Sequence, residues 1–138
     1  MKVIFACVHN AGRSQMAAAF FNPFADPERA LALSAGTAAG DGVHACVLTS
    51  MQAVGLDLSS ARPQLLTEEL AKDADMLITM GCGEACPHVP GLKRDDWPLS
   101  DPKGKSEEEV NLIRDEIKER VLALLKSYDL LKVNVSAV

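Results

Sequence analysis

The sequence predicts an α/β architecture: a small parallel sheet of about four strands with helices on both faces. Two observations carry this expectation. Short apolar runs rich in Val, Ile and Leu alternate along the chain with longer segments of helical spacing. Strands separated by such segments run parallel through right-handed crossovers, so a single sheet takes them all. The chain has 138 residues, 48% of them hydrophobic and 24% charged, which suits one domain over 1–138. Only 4% are aromatic, so the core must rest on aliphatic side chains and Met. A chain of this length buries roughly two-thirds of its unfolded surface and needs no disulfide or metal to fold.

Residues 2–8 form a short, β-branched apolar run, the signature of a buried strand. Residues 13–22 favour helix, and Pro23 and Pro27 end it. Ala30 to Ser34 reads as a second strand closed by Gly36. Val43 to Val54 is helical, with apolar residues at 43, 47, 51 and 54 and Gly55 as its stop. Thr67 caps a short helix that runs to Lys72. Asp75 to Met80 is a further buried strand, and 81–105 reads as loop around a short strand near Trp97. Ser106 and Glu109 then make a capping box for a last helix with apolar positions 110, 113, 117, 121 and 124. The Glu107–Glu109 run complements that helix start.

Charge and cysteine usage exclude several functions. A net charge of −5 argues against nucleic acid or an acidic membrane as partner. No apolar run reaches the 18 or so residues of a membrane span. The apolar stretch near Met1 is broken by His9, Asn10 and Arg13 before any cleavage site, so it reads as mature protein of the cytoplasm. In that compartment Cys7, Cys46, Cys82 and Cys86 imply thiol chemistry or metal rather than a disulfide scaffold. Cys46 falls within a helical apolar pattern and reads as packing.

In parallel sheets, ligands bind beyond the carboxyl ends of the strands, and the loops after Val8 and after Met80 lie at such ends. Both contain cysteine. Residues 7–14 read Cys-Val-His-Asn-Ala-Gly-Arg-Ser: a strand, a small-residue loop, then a helix start. Backbone N–H groups of Val8, His9, Asn10, Ala11 and Gly12 can converge there on an anion, with the helix dipole favouring negative charge. Arg13 supplies a bidentate partner for a tetrahedral oxyanion. The same groups favour the thiolate of Cys7, and the Ser14 hydroxyl can donate to its sulfur. Asn10 suits a left-handed turn and can brace the loop through its amide. His9 lines the loop mouth or is simply a surface histidine, and His44 sits at a helix N-terminus. No nucleotide-type G-x-x-x-x-G-K-[ST] loop is present.

The stretch Cys-Val-His-Asn-Ala-Gly-Arg-Ser-Gln-Met-Ala resembles the catalytic loop of arsenate reductases built on the low-molecular-weight tyrosine phosphatase fold. Ser-Ala-Gly-Thr at 34–37, Gly-Leu-Asp-Leu-Ser at 55–59, residues 75–87, Trp-Pro-Leu-Ser-Asp-Pro-Lys-Gly-Lys at 97–105 and Arg-Asp-Glu-Ile at 114–117 resemble the same family. The resemblance implies that Cys7 is a nucleophile, that Val8 to Ser14 cradle the oxyanion, and that Asp101 protonates the departing oxygen. It also implies that Cys82 and Cys86 resolve the Cys7 adduct through a disulfide cascade.

By their spacing alone, Cys82 and Cys86 are also open to other roles. They read as core cysteines, or as metal ligands with His88 and either Cys46 or His44. An i, i+4 pair on a helix is near the upper Cα separation for a disulfide, so the resolving role requires local unwinding. The resemblance implies no bound cofactor and no metal. The electron donor is external: thioredoxin, a glutaredoxin-type protein, or a small thiol such as mycothiol or glutathione. Two alternatives stand beside arsenate reduction: a low-molecular-weight tyrosine phosphatase and a zinc- or arsenite-binding regulatory module. Relatives that hydrolyse phosphotyrosine commonly carry tyrosine just after the Asp-Pro pair. Lys103-Gly104-Lys105 stands there instead, and suits a small, highly charged anion.

Overall fold

The computed structural model describes residues 1–80 and 91–132. The elements in chain order are β1 (Lys2–Cys7), α1 (Arg13–Phe24), β2 (Leu31–Gly36), α2 (Ala45–Gln52), α3 (Glu68–Lys72), β3 (Met76–Thr79), β4 (Lys93–Asp96) and α4 (Glu107–Ser127). The strands form one four-stranded sheet in the order β2-β1-β3-β4, and every pairing is parallel. The expected α/β architecture is therefore the observed one. Since β1 is an interior strand, its carboxyl end opens between neighbours on both sides, the position that suits a binding loop.

Alternation along β1 divides the core. Val3, Phe5 and Cys7 join one buried cluster with Met16, Phe20 and Phe21 of α1 and Ile113, Ile117 and Val121 of α4. Ile4 and Ala6 join a second with Ala35, Leu66 and Leu77, against which Leu70 of α3 packs. Phe5 anchors the larger cluster, edge-on to Phe21 at 5.9 Å and tilted against Trp97 at 5.5 Å. Helices thus cover both faces of the sheet.

Several boundaries differ from the sequence expectation. Helix α1 runs through Pro23 to Phe24 instead of stopping before it. In a last turn the missing proline N–H removes only one hydrogen bond, and Asn22 ties the turn to β2 by exchanging two bonds with the Ala32 backbone at 3.1 and 2.9 Å. Strand β2 starts one residue later than expected and ends two later, including Gly36, because it follows the β1 register to Cys7↔Gly36. Helix α2 is shorter than 43–54, with His44 at its N-cap as expected. The strand near Trp97 consists of Lys93, Arg94, Asp95 and Asp96, all exposed. On α4, Leu125 rather than Leu124 is fully buried. The segment 81–90, including the Cys82–Cys86 pair, lies outside the described residues.

Candidate active site

Cys7 ends β1 and Arg13 begins α1, so Val8 to Gly12 form the turn from strand to helix. Asn10 makes that turn in the left-handed region at φ 52°, which Asn tolerates. The loop is pinned by its carbonyls. Thr37 N donates to Cys7 O at 3.2 Å, Ala38 N to Val8 O at 2.8 Å, Gly40 N to His9 O at 2.9 Å and His44 N to Ala11 O at 2.9 Å. In a planar trans peptide the next N–H points opposite its carbonyl. The amides of His9, Asn10 and Gly12 are therefore turned away from the 38–44 segment. Among the described residues, no amide from His9 to Gly12 donates to a backbone carbonyl. Gly12, the N-cap of α1, offers no side-chain cap, so the helix start also keeps its donors open to an anion.

Below the loop, a network of side chains orients the sulfur. Cys7 is a free thiol, 3% exposed, with Sγ at 2.9 Å from Ser14 Oγ. Asn10 Nδ2 donates to the same Ser14 oxygen at 2.7 Å. With that acceptor side occupied, the Ser14 proton is free to point at sulfur. The amide of Asn10 is itself oriented, because its Oδ1 accepts from Gln64 N at 2.9 Å and from Gln15 Nε2 at 3.2 Å. Gln15 Nε2 also donates to Asn10 O at 3.0 Å and Arg62 O at 3.3 Å. Asn10, Ser14 and Gln15 are all buried. Sequence reasoning foresaw Asn10 and Ser14 in these roles and missed Gln15 and Gln64. Gln15 lies one residue past the anion loop, which was the available signal for it.

Cys7, His9, Ala11, Gly12, Arg13, His44 and Asp101 line one cleft. Residue 101, nearly ninety positions beyond the anion loop, is brought to it by the chain that leaves β4. Arg13 Nη1 donates to Leu99 O at 2.9 Å, and its Nη2 lies 3.9 Å from Asp101 Oδ2. The other carboxylate oxygen of Asp101 accepts from Lys103 N at 3.0 Å. His9, at the cleft mouth, is exposed and places Nδ1 at 3.1 Å from Ala38 O. His44, expected at a helix start, also forms part of the cleft wall. Lys103 is exposed, and Lys105 borders a separate groove with Ser100, Glu109, Leu112 and Ile113. Cys46 is half-buried against the larger core cluster, as its apolar spacing suggested. Among the described residues, no group of three His, Cys, Asp or Glu side chains is arranged to hold a metal ion.

A strand-to-helix loop of open amides, a buried thiol with a hydroxyl at its sulfur, an arginine and a carboxylate can together bind a tetrahedral oxyanion, attack it and protonate what leaves. The sequence profile described as low molecular weight phosphotyrosine protein phosphatase matches residues 2–134. The chain is 38% identical to a thioredoxin-dependent arsenate reductase of Corynebacterium glutamicum, whose structure superposes with a TM-score of 0.80 over 93% of this chain and 61% of that one. It is 36% identical to a Halobacterium salinarum protein provisionally named an arsenate reductase, over 91% of each chain. It is also 33% identical to the glutaredoxin arsenate reductase of Synechocystis, over 90% of this chain and 95% of that relative. Profile, alignments and anion-loop geometry agree along nearly the whole length, and the chain belongs to the low molecular weight phosphotyrosine protein phosphatase family.

Proposed function

We propose that the protein reduces arsenate to arsenite in the cytoplasm, using its own thiols and an external reductant. The observation that carries this reading is the single cleft shared by Cys7, Arg13 and Asp101, with Ser14 Oγ at 2.9 Å from the Cys7 sulfur. Relatives that share the chain along most of its length are named arsenate reductases, which supports arsenic as the centre attacked.

In this reading the amides of Val8 to Gly12 and the Arg13 guanidinium bind the arsenate oxygens, and the Ser14 hydroxyl donates to the Cys7 sulfur. Cys7 attacks arsenic. Asp101 protonates the departing oxygen, which leaves as water, and a sulfur–arsenic(V) bond remains. The Cys82 thiolate then attacks the Cys7 sulfur. The electron pair of the broken bond stays on arsenic, which leaves as arsenite, while the two thiolates become a Cys7–Cys82 disulfide. Cys86 attacks Cys82, releases Cys7 and carries the bridge to Cys82–Cys86. Two electrons from thioredoxin, a glutaredoxin-type protein or a small thiol such as mycothiol or glutathione restore the dithiol. A cytosol that keeps thiols reduced suits this cycle.

The second reading is hydrolysis of a phosphate monoester at the same cleft, favoured by the family's phosphatase description. One experiment separates the two. Fully reduced protein is mixed with arsenate and no added reductant. The expected yield is about one arsenite per chain, with a Cys82–Cys86 bridge found by peptide mass spectrometry. Cys7→Ser yields none, and Cys82→Ser yields none while still hydrolysing a small aryl phosphate. Arsenite formed at the same level by Cys82→Ser overturns the cascade. Aryl phosphate turnover without any arsenite makes the protein a phosphatase.

A further inference from the structure

Asp101 is half exposed, with half of its side-chain surface open to solvent, whereas the next residue, Pro102, is buried. A carboxylate on a surface loop keeps one position only if its neighbours are anchored. Pro102 is the anchor. A Cβ placed on Gly12 would stand 3.0 Å from Pro102 Cγ, 3.5 Å from its Cδ and 3.6 Å from His44 Cδ2. The backbone of Gly12 lies at φ −144° and ψ −93°, outside the left-handed region. What the glycine provides is room: the pyrrolidine ring packs against the floor of the anion loop itself. From the other side, Cys46 Sγ lies 3.7 Å from Pro102 O and donates to it, and Lys105 N donates to the same oxygen at 3.2 Å. Upstream, Arg13 fixes Leu99 O.

We infer that Gly12 and Cys46 form a socket for Pro102, and that this socket holds Asp101 over the Cys7 cleft. Gly12 and Cys46 are then positioning residues for proton donation. The inference rests on Asp101 being the acid, as in the reading above. It assigns Cys46, which takes no electrons in the thiol cascade, a part in the first step. It also makes the seating of the acid depend directly on the anion loop, since the residue that touches the proline ring, Gly12, is the N-cap of α1.

The test is a double-mutant cycle on the rate of a single arsenate turnover by pre-reduced protein. Asp101→Asn is expected to slow that turnover about a hundredfold. Cys46→Ala is expected to slow it about fivefold, with phosphate affinity unchanged, and Cys46→Ser to restore most of the rate by returning a donor to Pro102 O. Pro102→Ala is expected to act in the same direction as Cys46→Ala. In the Asp101→Asn background neither change slows turnover further, because the group being positioned is gone. Multiplied losses in that background, or a loss of phosphate affinity matching the loss of rate, overturn the socket. If Asp101→Asn leaves turnover intact, the assignment of the acid fails and the socket with it. If the unmutated protein forms no arsenite, arsenate reduction itself is wrong. Thermal unfolding of each variant separates these outcomes from misfolding, and Cys46→Ser, the smallest change, keeps the cycle readable if Pro102→Ala does not fold.

Discussion

Gly36 shows how much of the site depends on one missing methyl group. A Cβ there would lie 2.6 Å from Val8 O, 2.8 Å from Asn10 N and 3.0 Å from Asn10 Cβ. Two of these neighbours are backbone atoms of the anion loop, and the loop is held by its carbonyl bonds to 37–44, so neither can give way cheaply. Gly36→Ala is expected to destabilise the fold by about 1–3 kcal/mol and to weaken phosphate binding beyond that loss, checked by urea unfolding and by titration calorimetry. Unchanged phosphate affinity in a folded variant would show that the loop tolerates the push. The sequence marked Gly36 only as the end of a strand and as part of Ser-Ala-Gly-Thr. Its role was hidden because the clash joins residues 36 and 8–10, whose approach depends on the β1–β2 register.

Among the elements, α4 was the most legible and β4 the least. The capping box forms as its residue types require: Glu109 N donates to Ser106 Oγ at 3.2 Å and Ser106 N to Glu109 Oε1 at 3.4 Å. Ser106→Ala is expected to cost about 1 kcal/mol, read as a lower melting temperature with arsenate turnover unchanged well below it. A loss of turnover at low temperature would mean that the cap also shapes the 99–105 loop leading into it. Toward the end of α4, Leu124 and Leu125 are identical by composition, and the facing core takes Leu125, four residues after Val121. Strand β4 has no apolar alternation to announce it. Its four charged residues pair with β3 through the backbone, and Thr79 Oγ1 donates to Asp96 Oδ1 at 2.8 Å. Charge on an edge strand also discourages pairing with another chain.

For the molecule as a whole, the anion site is built from distant pieces, so an anion bound there stabilises the entire fold. At a phosphate concentration about a hundred times its dissociation constant, the gain is about 2.7 kcal/mol. For a chain of this size that corresponds to a rise of roughly 10 °C in melting temperature. Arg13→Ala, which removes the guanidinium from the cleft, is expected to abolish the rise. An equal rise in that variant, followed by calorimetry, would place the anion elsewhere. Global charge does not assist binding, since the chain carries −5. The local arrangement of N–H groups and one guanidinium must overcome it, and Debye screening at about 8–10 Å keeps distant carboxylates from mattering much.

Local patterns in the chain were enough to define the parallel α/β order, the anion loop from Cys7 to Ser14, the left-handed Asn10 and the box that starts α4. Each depends on neighbours within a few residues, where dihedral preference and hydrogen-bonding chemistry can be read from residue type. Folding alone brings Asp101 beside Arg13, wedges Pro102 against Gly12, turns His44 into a wall and packs Gln15 and Gln64 around Asn10. These contacts span from five to about ninety positions along the chain. They arise from strand register and from which helix face meets the core, quantities that emerge when the whole sheet closes and that short-range spacing does not encode.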